Sequence, residues 1–234
     1  AYSSDPIGTM TTNLLGTISL LEYAASCIGS RFLLASSVEV YGENRGDREY
    51  FDESYCGYID CNTVRAVYPE SKRACEALCQ AFIRQKGVDA VIARLSRTYG
   101  PTMLLSDTKA VSQFLKKGAA GEDIVLKSAG NQLYSYSYAA DAVSGLLTVL
   151  LKGACGEAYN IADPNSDITL KDLSAMIARK SGGKVVFELP DEKEAAGYSK
   201  ATKALMDGSK LKGLGWQAAW DMEKGIERTV EGLR

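Results

Sequence analysis

The chain has 234 residues, 46% hydrophobic and 24% charged, with a formal charge of −2; such a chain can bury a core and has no electrostatic footprint for nucleic acid or an anionic membrane. It contains no histidine, which excludes Ser-His-Asp and Cys-His catalysis, HExxH zinc sites and every histidine general base, so acid–base chemistry must come from Tyr, Lys, Asp, Glu or Cys. None of its six cysteines stands in a CxxC and no apolar run approaches the roughly 20 residues of a spanning helix, so zinc-ribbon and thioredoxin readings fail and the expectation is a soluble, cytoplasmic protein with reduced thiols.

Met10, Leu14, Ile18, Leu21 and Ala25 recur at three- and four-residue steps and predict a helix over residues 5–25. Residues 31–35 (RFLLA) form a short apolar run followed by Ser36 and Ser37, the pattern of a buried strand. A polar loop rich in Gly and Asp covers 42–65. A second helix is predicted over 68–85, with Cys75 and Cys79 one turn apart as buried thiols, and is stopped near Gly87. The strand 88–95 (VDAVIARL) is closed by a turn at Tyr99-Gly100-Pro101. Helices alternating with strands imply a parallel sheet with helices on both faces. Beyond Pro101 the expected order is a helix near 110–117, a strand at 124–126, a tyrosine-rich stretch at 134–138, a helix at 141–151 and a strand at 158–162. A helix at 170–180, a strand at 184–187 and two further helical pieces complete a smaller C-terminal α/β lobe.

Tyr68-Pro-Glu-Ser-Lys72 is a YxxxK, and on a helix positions i and i+4 share a face, so the phenol and the ammonium can point into one site. An ammonium beside a phenol favours phenolate, which predicts a lowered Tyr68 pKa and a base that works without histidine. A single YxxxK arises by chance in a chain this rich in tyrosine and lysine, and its weight comes from context. Ser37 falls at the carboxyl end of a predicted strand, where open α/β sheets place their ligands, and its hydroxyl can bond a substrate hydroxyl and relay a proton to Tyr68. Glu39 is a candidate second acid–base group or an exposed carboxylate before the turn at Gly42. Arg94 and Arg97 close the next strand, and Arg97 can hold a phosphate bidentately or form a surface ion pair.

The ordered set Asn13-Leu-Leu-Gly16-Thr17, Ala35-Ser-Ser37-Val-Glu39-Val-Tyr41-Gly42, Tyr68-x-x-x-Lys72 and Arg94-x-x-x-Thr98-Tyr-Gly-Pro101 resembles the extended short-chain dehydrogenases, specifically the NAD-dependent sugar-nucleotide epimerase/dehydratase family. The segment from Asp207 to Trp216 is similar to the stretch before that family's last helices, so the resemblance spans nearly the whole chain. The nearest look is to its nucleotide-sugar decarboxylases. The resemblance implies a Rossmann-like fold, bound NAD, a nucleotide-sugar substrate and a homodimer built on the helices 5–25 and 68–85, where Leu20, Leu78 and Phe82 are outward apolar candidates. It implies transient oxidation of a sugar 4-hydroxyl to a 4-keto intermediate, with Ser37, Tyr68 and Glu39 in proton transfer. Lys72 would hold the nicotinamide ribose, and Thr12 and Thr98 would contact NAD. It divides the chain into residues 1–101, the C-terminal part of the NAD-binding domain, and 102–234, mainly a substrate lobe with segments around 130–162 returning to the first domain.

Three departures accompany the resemblance. The family's dehydratases have Asp where this chain has Val38, which disfavours 4,6-dehydration. Its decarboxylases have Asn at Arg97 and a diphosphate-binding Arg at Tyr134, which makes Arg97 and Lys109 the candidates to supply the displaced positive charge. The only GxGxxA, Gly213 to Ala218, follows no strand and reads as a helix-end turn rather than a dinucleotide fingerprint. The expectation is that the βαβ units bearing that fingerprint precede this segment in the full-length protein. A non-catalytic nucleotide or nucleotide-sugar binder, and an NADP-dependent reductase acting on a non-nucleotide substrate, remain open alternatives.

Overall fold

The computed structural model describes residues 4–188 and 202–234. The chain folds into two compact units. The first consists of Ala1–Ser96, Val143–Ile161 and Met206–Trp216, the second of Arg97–Ala142, Ala162–Leu205 and Gln217–Arg234.

The first unit holds a three-stranded parallel sheet in the order β1 (Arg31–Ser37), β2 (Asp89–Leu95), β6 (Ala158–Ile161). Helix α1 (Pro6–Ser26) starts at Asp5, whose carboxylate accepts the Gly8 N–H, and has Pro6 at its first position, where a missing donor is harmless. Helix α2 (Val67–Lys86) connects β1 to β2 and ends at Gly87, whose left-handed φ of 67° a residue with a Cβ adopts only under strain. The two helices cover one face of the sheet. Leu21 of α1 and Cys75 and Cys79 of α2 pack there against Leu34, Ala90 and Ile92. The alternation of strand residues sends Leu33, Val91 and Ala93 to the opposite face, where the helix α4 (Ala139–Lys152) runs into this unit and Gly145 lets it approach Ile161 closely.

The expected thiols are thus in the core: Cys75 and Cys79 are fully buried, and burial pushes the Cys79 thiol up to about 12. Cys75 accepts the Thr17 hydroxyl at 3.2 Å and its thiol donates to the Asn13 carbonyl at 3.3 Å.

In the second unit β3 (Arg97–Tyr99) pairs parallel with β5 (Leu133–Tyr138), which pairs antiparallel with β7 (Asp167–Thr169) and parallel with β9 (Lys203–Ala204). A separate parallel pair joins β4 (Ile124–Leu126) to β8 (Val185–Phe187). Helices α3 (Ala110–Ala119), α5 (Leu170–Ser181) and α7 (Met222–Leu233) pack on one another, with Arg179–Glu223 and Lys180–Glu227 ion pairs at 2.6 and 3.3 Å between α5 and α7. The short α6 (Ser209–Lys212) belongs to the first unit, and Gly213 ends it, as the sequence suggested. Two local expectations change. Residues 97–99 form a strand of their own and the turn falls at Gly100–Met103, because hydrogen bonding to β5 captures the segment before Gly100. The tyrosine-rich stretch is that partner strand, with β-favouring tyrosines alternating with serines.

Candidate active site

The first unit brings Ser37, Glu39, Tyr68 and Lys72 together at the carboxyl end of β1. Ser37 is the last residue of the strand, and its Oγ accepts the Glu39 N–H at 3.3 Å, capping a single 3-10 turn over Val38–Tyr41. Gly42 closes that turn at φ 70°, with the Tyr58 carbonyl packed where a Cβ would stand. Tyr68 lies in the first turn of α2 and is hydrogen-bonded to Ser37. Lys72, one helical turn along, has its Nζ 5.9 Å from the Tyr68 ring centroid and donates to the Ala35 carbonyl at 3.0 Å. Glu39 faces Arg65 across 4.0 Å.

One expectation is reversed here. Burial raises the Tyr68 pKa above that of an ordinary phenol, the Ser37 hydrogen bond lowers it and the Glu39 charge raises it, with a net upward shift. The reason is that the Lys72 ammonium is turned to a backbone carbonyl rather than to the phenol oxygen, so desolvation prevails over cationic support.

Thr12 is exposed on α1. The other candidates lie in the second unit. Thr98 is exposed on β3. Arg97 sits over the Tyr134 ring, its Cζ 3.7 Å from the ring centroid, and its charge counteracts part of the burial that raises the neighbouring Tyr136 phenol. The β3–β5 register explains this: Arg97 is opposite Tyr136, so positions 97, 134 and 136 share one face of the pair. Lys109 is 80% exposed at the start of α3, 3.8 Å from Asp107.

Sequence reasoning missed a buried polar layer directly beneath Ser37. Register aligns Ser36, Arg94 and Asn160 in one row across β1, β2 and β6. Arg94, read from the sequence as a second cation at the sheet edge, instead forks onto Glu76 of α2 at 3.0 and 2.7 Å, in a pair whose side chains are 12% and 13% exposed. The Ser36 hydroxyl donates to the same carboxylate at 2.5 Å. Arg94 Nη1 donates to the Tyr41 hydroxyl at 3.0 Å and to the Glu53 carbonyl at 2.8 Å, and Tyr41 donates to Asn160 Oδ1 at 2.6 Å. Burial works against the Arg94 cation, but the bonds to Glu76 and Tyr41 outweigh it and raise its pKa. The available signal was weak: Glu76 stands four residues past Lys72, a spacing that equally describes a solvent-exposed pair.

A parallel α/β sheet with a hydroxyl, a phenol and an ammonium gathered at one strand end defines a Rossmann-like protein of the short-chain dehydrogenase type. The sequence pattern of the NAD dependent epimerase/dehydratase family matches residues 1–162, and the chain belongs to that family. It is 32% identical over 235 residues to UDP-glucuronic acid decarboxylase 1 of Xenopus tropicalis, a match that covers all of this chain and 53% of the frog protein. The chain therefore spans about half the length of that relative. UDP-glucose 4-epimerase of Thermotoga maritima, solved with UDP-glucose, shares the fold with a TM-score of 0.85 at 24% identity, over 99% of this chain and 72% of that one. The dTDP-glucose 4,6-dehydratase of Streptomyces venezuelae, solved with NAD and TYD, matches with a TM-score of 0.80 at 25% identity, over 98% and 67%.

Proposed function

We propose that this chain carries the hydroxyl-oxidising site of an NAD-dependent enzyme acting on a nucleotide sugar. In this reading a sugar 4-hydroxyl is oxidised transiently to a 4-keto intermediate, and the ketone then accepts the electron pair released when carbon dioxide or a proton leaves the neighbouring carbon, giving decarboxylation or epimerisation. The observation that carries the proposal is the Ser37–Tyr68 hydrogen bond with Lys72 one turn away on the same helix. The frog relative's name makes UDP-glucuronic acid the first substrate to try.

The donor set suits a nicotinamide nucleotide. The Lys72 ammonium has three N–H groups, one directed to Ala35, which leaves two for adjacent ribose hydroxyls. Thr12 and Thr98 are proposed as further cofactor contacts. When bound, NAD supplies an acceptor for the hydride that leaves the carbinol carbon and returns it to the product. Tyr68 must first give up its own proton to solvent; as phenolate it then takes the hydroxyl proton at its oxygen, and Ser37 bonds and orients the same hydroxyl. Because burial holds the Tyr68 proton on, forming that phenolate near neutral pH requires positive charge at that face, which the Lys72 ammonium, bonded here to the Ala35 carbonyl, would supply only on turning toward the phenol oxygen. Glu39 is proposed as the second acid–base group, with Arg97 and Lys109 as anion-binding groups toward the substrate.

Self-association through α1 and α2 belongs to the same proposal. Leu14, Ile18, Ala74, Ala77 and Leu78 line an apolar groove between the helices, while Leu15 and Leu20 are 58% and 57% exposed. Of the outward candidates, Leu78 and Phe82 pack partly into the protein's own core. Light scattering is expected to give a dimer.

The functional test incubates the purified full-length protein with UDP-glucuronic acid and NAD and follows product mass. Loss of carbon dioxide identifies decarboxylation, and unchanged mass with altered retention identifies epimerisation. No conversion of any nucleotide sugar, together with no NAD released on denaturation, contradicts the reading.

A further inference from the structure

Helix α2 is fixed to the end of β1 by a ladder of contacts. Near Tyr68, Lys72 bonds the Ala35 carbonyl at 3.0 Å. One residue on, Arg73 donates to the Val40 and Gly57 carbonyls, each at 2.7 Å, which ties the helix to the 3-10 turn and to the loop that follows. The last rung is Glu76, eight residues past Tyr68, or about 12 Å along the helix axis. Its carboxylate takes the Ser36 hydroxyl from β1 and the Arg94 fork from β2, and Arg94 reaches on through Tyr41 to Asn160 on β6. Ser36, Tyr41 and Asn160 are at most 2% exposed. A buried ion pair adds little to stability compared with apolar residues of the same shape, and its value lies in directional bonds that admit one arrangement. This pair joins the strand that ends in Ser37 to the helix that carries Tyr68 in its first turn.

We infer that the Glu76–Arg94 pair is a positioning element that seats α2 on β1 and thereby sets the Ser37–Tyr68 hydrogen bond. Glu76 and Arg94 act through Ser36, Tyr41 and the helix and are positioning residues, not catalytic ones. The inference rests on the reading of Tyr68 as the proton-transfer group. A misplacement near 1 Å of a catalytic group costs about 100-fold in rate, and the loss falls on kcat while KM is largely retained.

The test separates position from charge. Tyr68 is faced by Ser37 from β1, by Glu39 from the 3-10 turn and by Lys72 from its own helix. Removing the Glu76 charge with the geometry unchanged would make phenolate easier to form and move Tyr68 to lower pH. Loosening the Ser37 bond moves it to higher pH. The experiment titrates Tyr68 in the full-length protein by ultraviolet difference, subtracting a Tyr68→Phe reference, in the wild type, Glu76→Gln and Arg94→Lys. The expected result is a shift to higher pH in both variants, with kcat down about 100-fold and KM within about threefold. A Tyr68 titration that stays in place or moves to lower pH overturns the inference. Should either variant fail to fold, Ser36→Ala removes one rung and keeps the ion pair; it is expected to give a smaller shift in the same direction, and an unmoved titration there overturns the inference equally. The titration needs no turnover, so a wild type that oxidises no nucleotide sugar defeats the functional reading while the positioning claim is still decided.

Discussion

The two units hold their candidate functional side chains by different physics. In the first, Ser37, Tyr68 and Lys72 are placed by directional bonds, between hydroxyl and phenol and from ammonium to carbonyl, over the Arg94–Glu76 fork. In the second, Arg97 sits over the ring of Tyr134, among tyrosines that pack edge-to-face or tilted, as Tyr99 on Tyr138 and Tyr138 on Trp220. Proton affinity follows hydrogen-bond partners closely, so a site that moves protons needs the first kind of support. A cation that reads a fixed anion needs a preset orientation, which contact with an aromatic ring can supply.

Several substitutions break or sharpen that contrast. Tyr68→Phe removes the proposed proton acceptor and is expected to lower kcat by about 1,000-fold with KM little changed, read by steady-state kinetics on UDP-glucuronic acid. Lys72→Met is expected to cost about 100-fold and to raise the NAD requirement, since it removes both the proposed ribose donor and a positive charge on that helix face. The second unit is expected to respond through binding. Arg97→Ala should raise substrate KM about tenfold, the worth of one hydrogen bond to a charged group, with kcat within about threefold. Lys109→Ala, at an exposed side chain facing Asp107, should raise KM about twofold; a KM unmoved in both would remove the second unit's cations from substrate binding.

The smallest effect concerns Asp167, which burial pushes up to about 6, with the Ser135 hydrogen bond opposing and Asp163 adding to the rise. A carboxyl whose folded pKa is raised holds its proton more tightly in the native state. Its contribution is most favourable below about pH 4 and is lost as pH rises through about 6. Asp167→Asn is therefore expected to raise Tm by about 2 °C at pH 7.5 and to leave it unchanged at pH 4, measured by thermal denaturation at both.

Much of the fold could be read in the sequence because its signals are local. The apolar spacing of Met10 to Ala25, the RFLLA run and the stop at Gly87 each sit within a few turns of the element they define. The YxxxK spacing likewise puts Tyr68 and Lys72 on one helix face whatever surrounds them. What the spacing does not contain is where a side chain's donors go. The Lys72 ammonium engages Ala35, 37 positions away, and this is why the sign of the Tyr68 shift was misread. The Arg94–Glu76 fork and the Arg97–Tyr134 contact depend on strand register and helix docking, which arise only when distant segments pair.

The central claim is that Tyr68 takes the proton while the sugar hydroxyl is oxidised. The most direct measurement mixes full-length protein carrying NAD with UDP-glucuronic acid under single-turnover conditions and follows the absorbance of reduced nicotinamide in wild type and Tyr68→Phe. A transient rise in the wild type that is slowed about 1,000-fold in the variant is the predicted result. Equal rises in both proteins, or product formed with no reduced nicotinamide at any time, would contradict it.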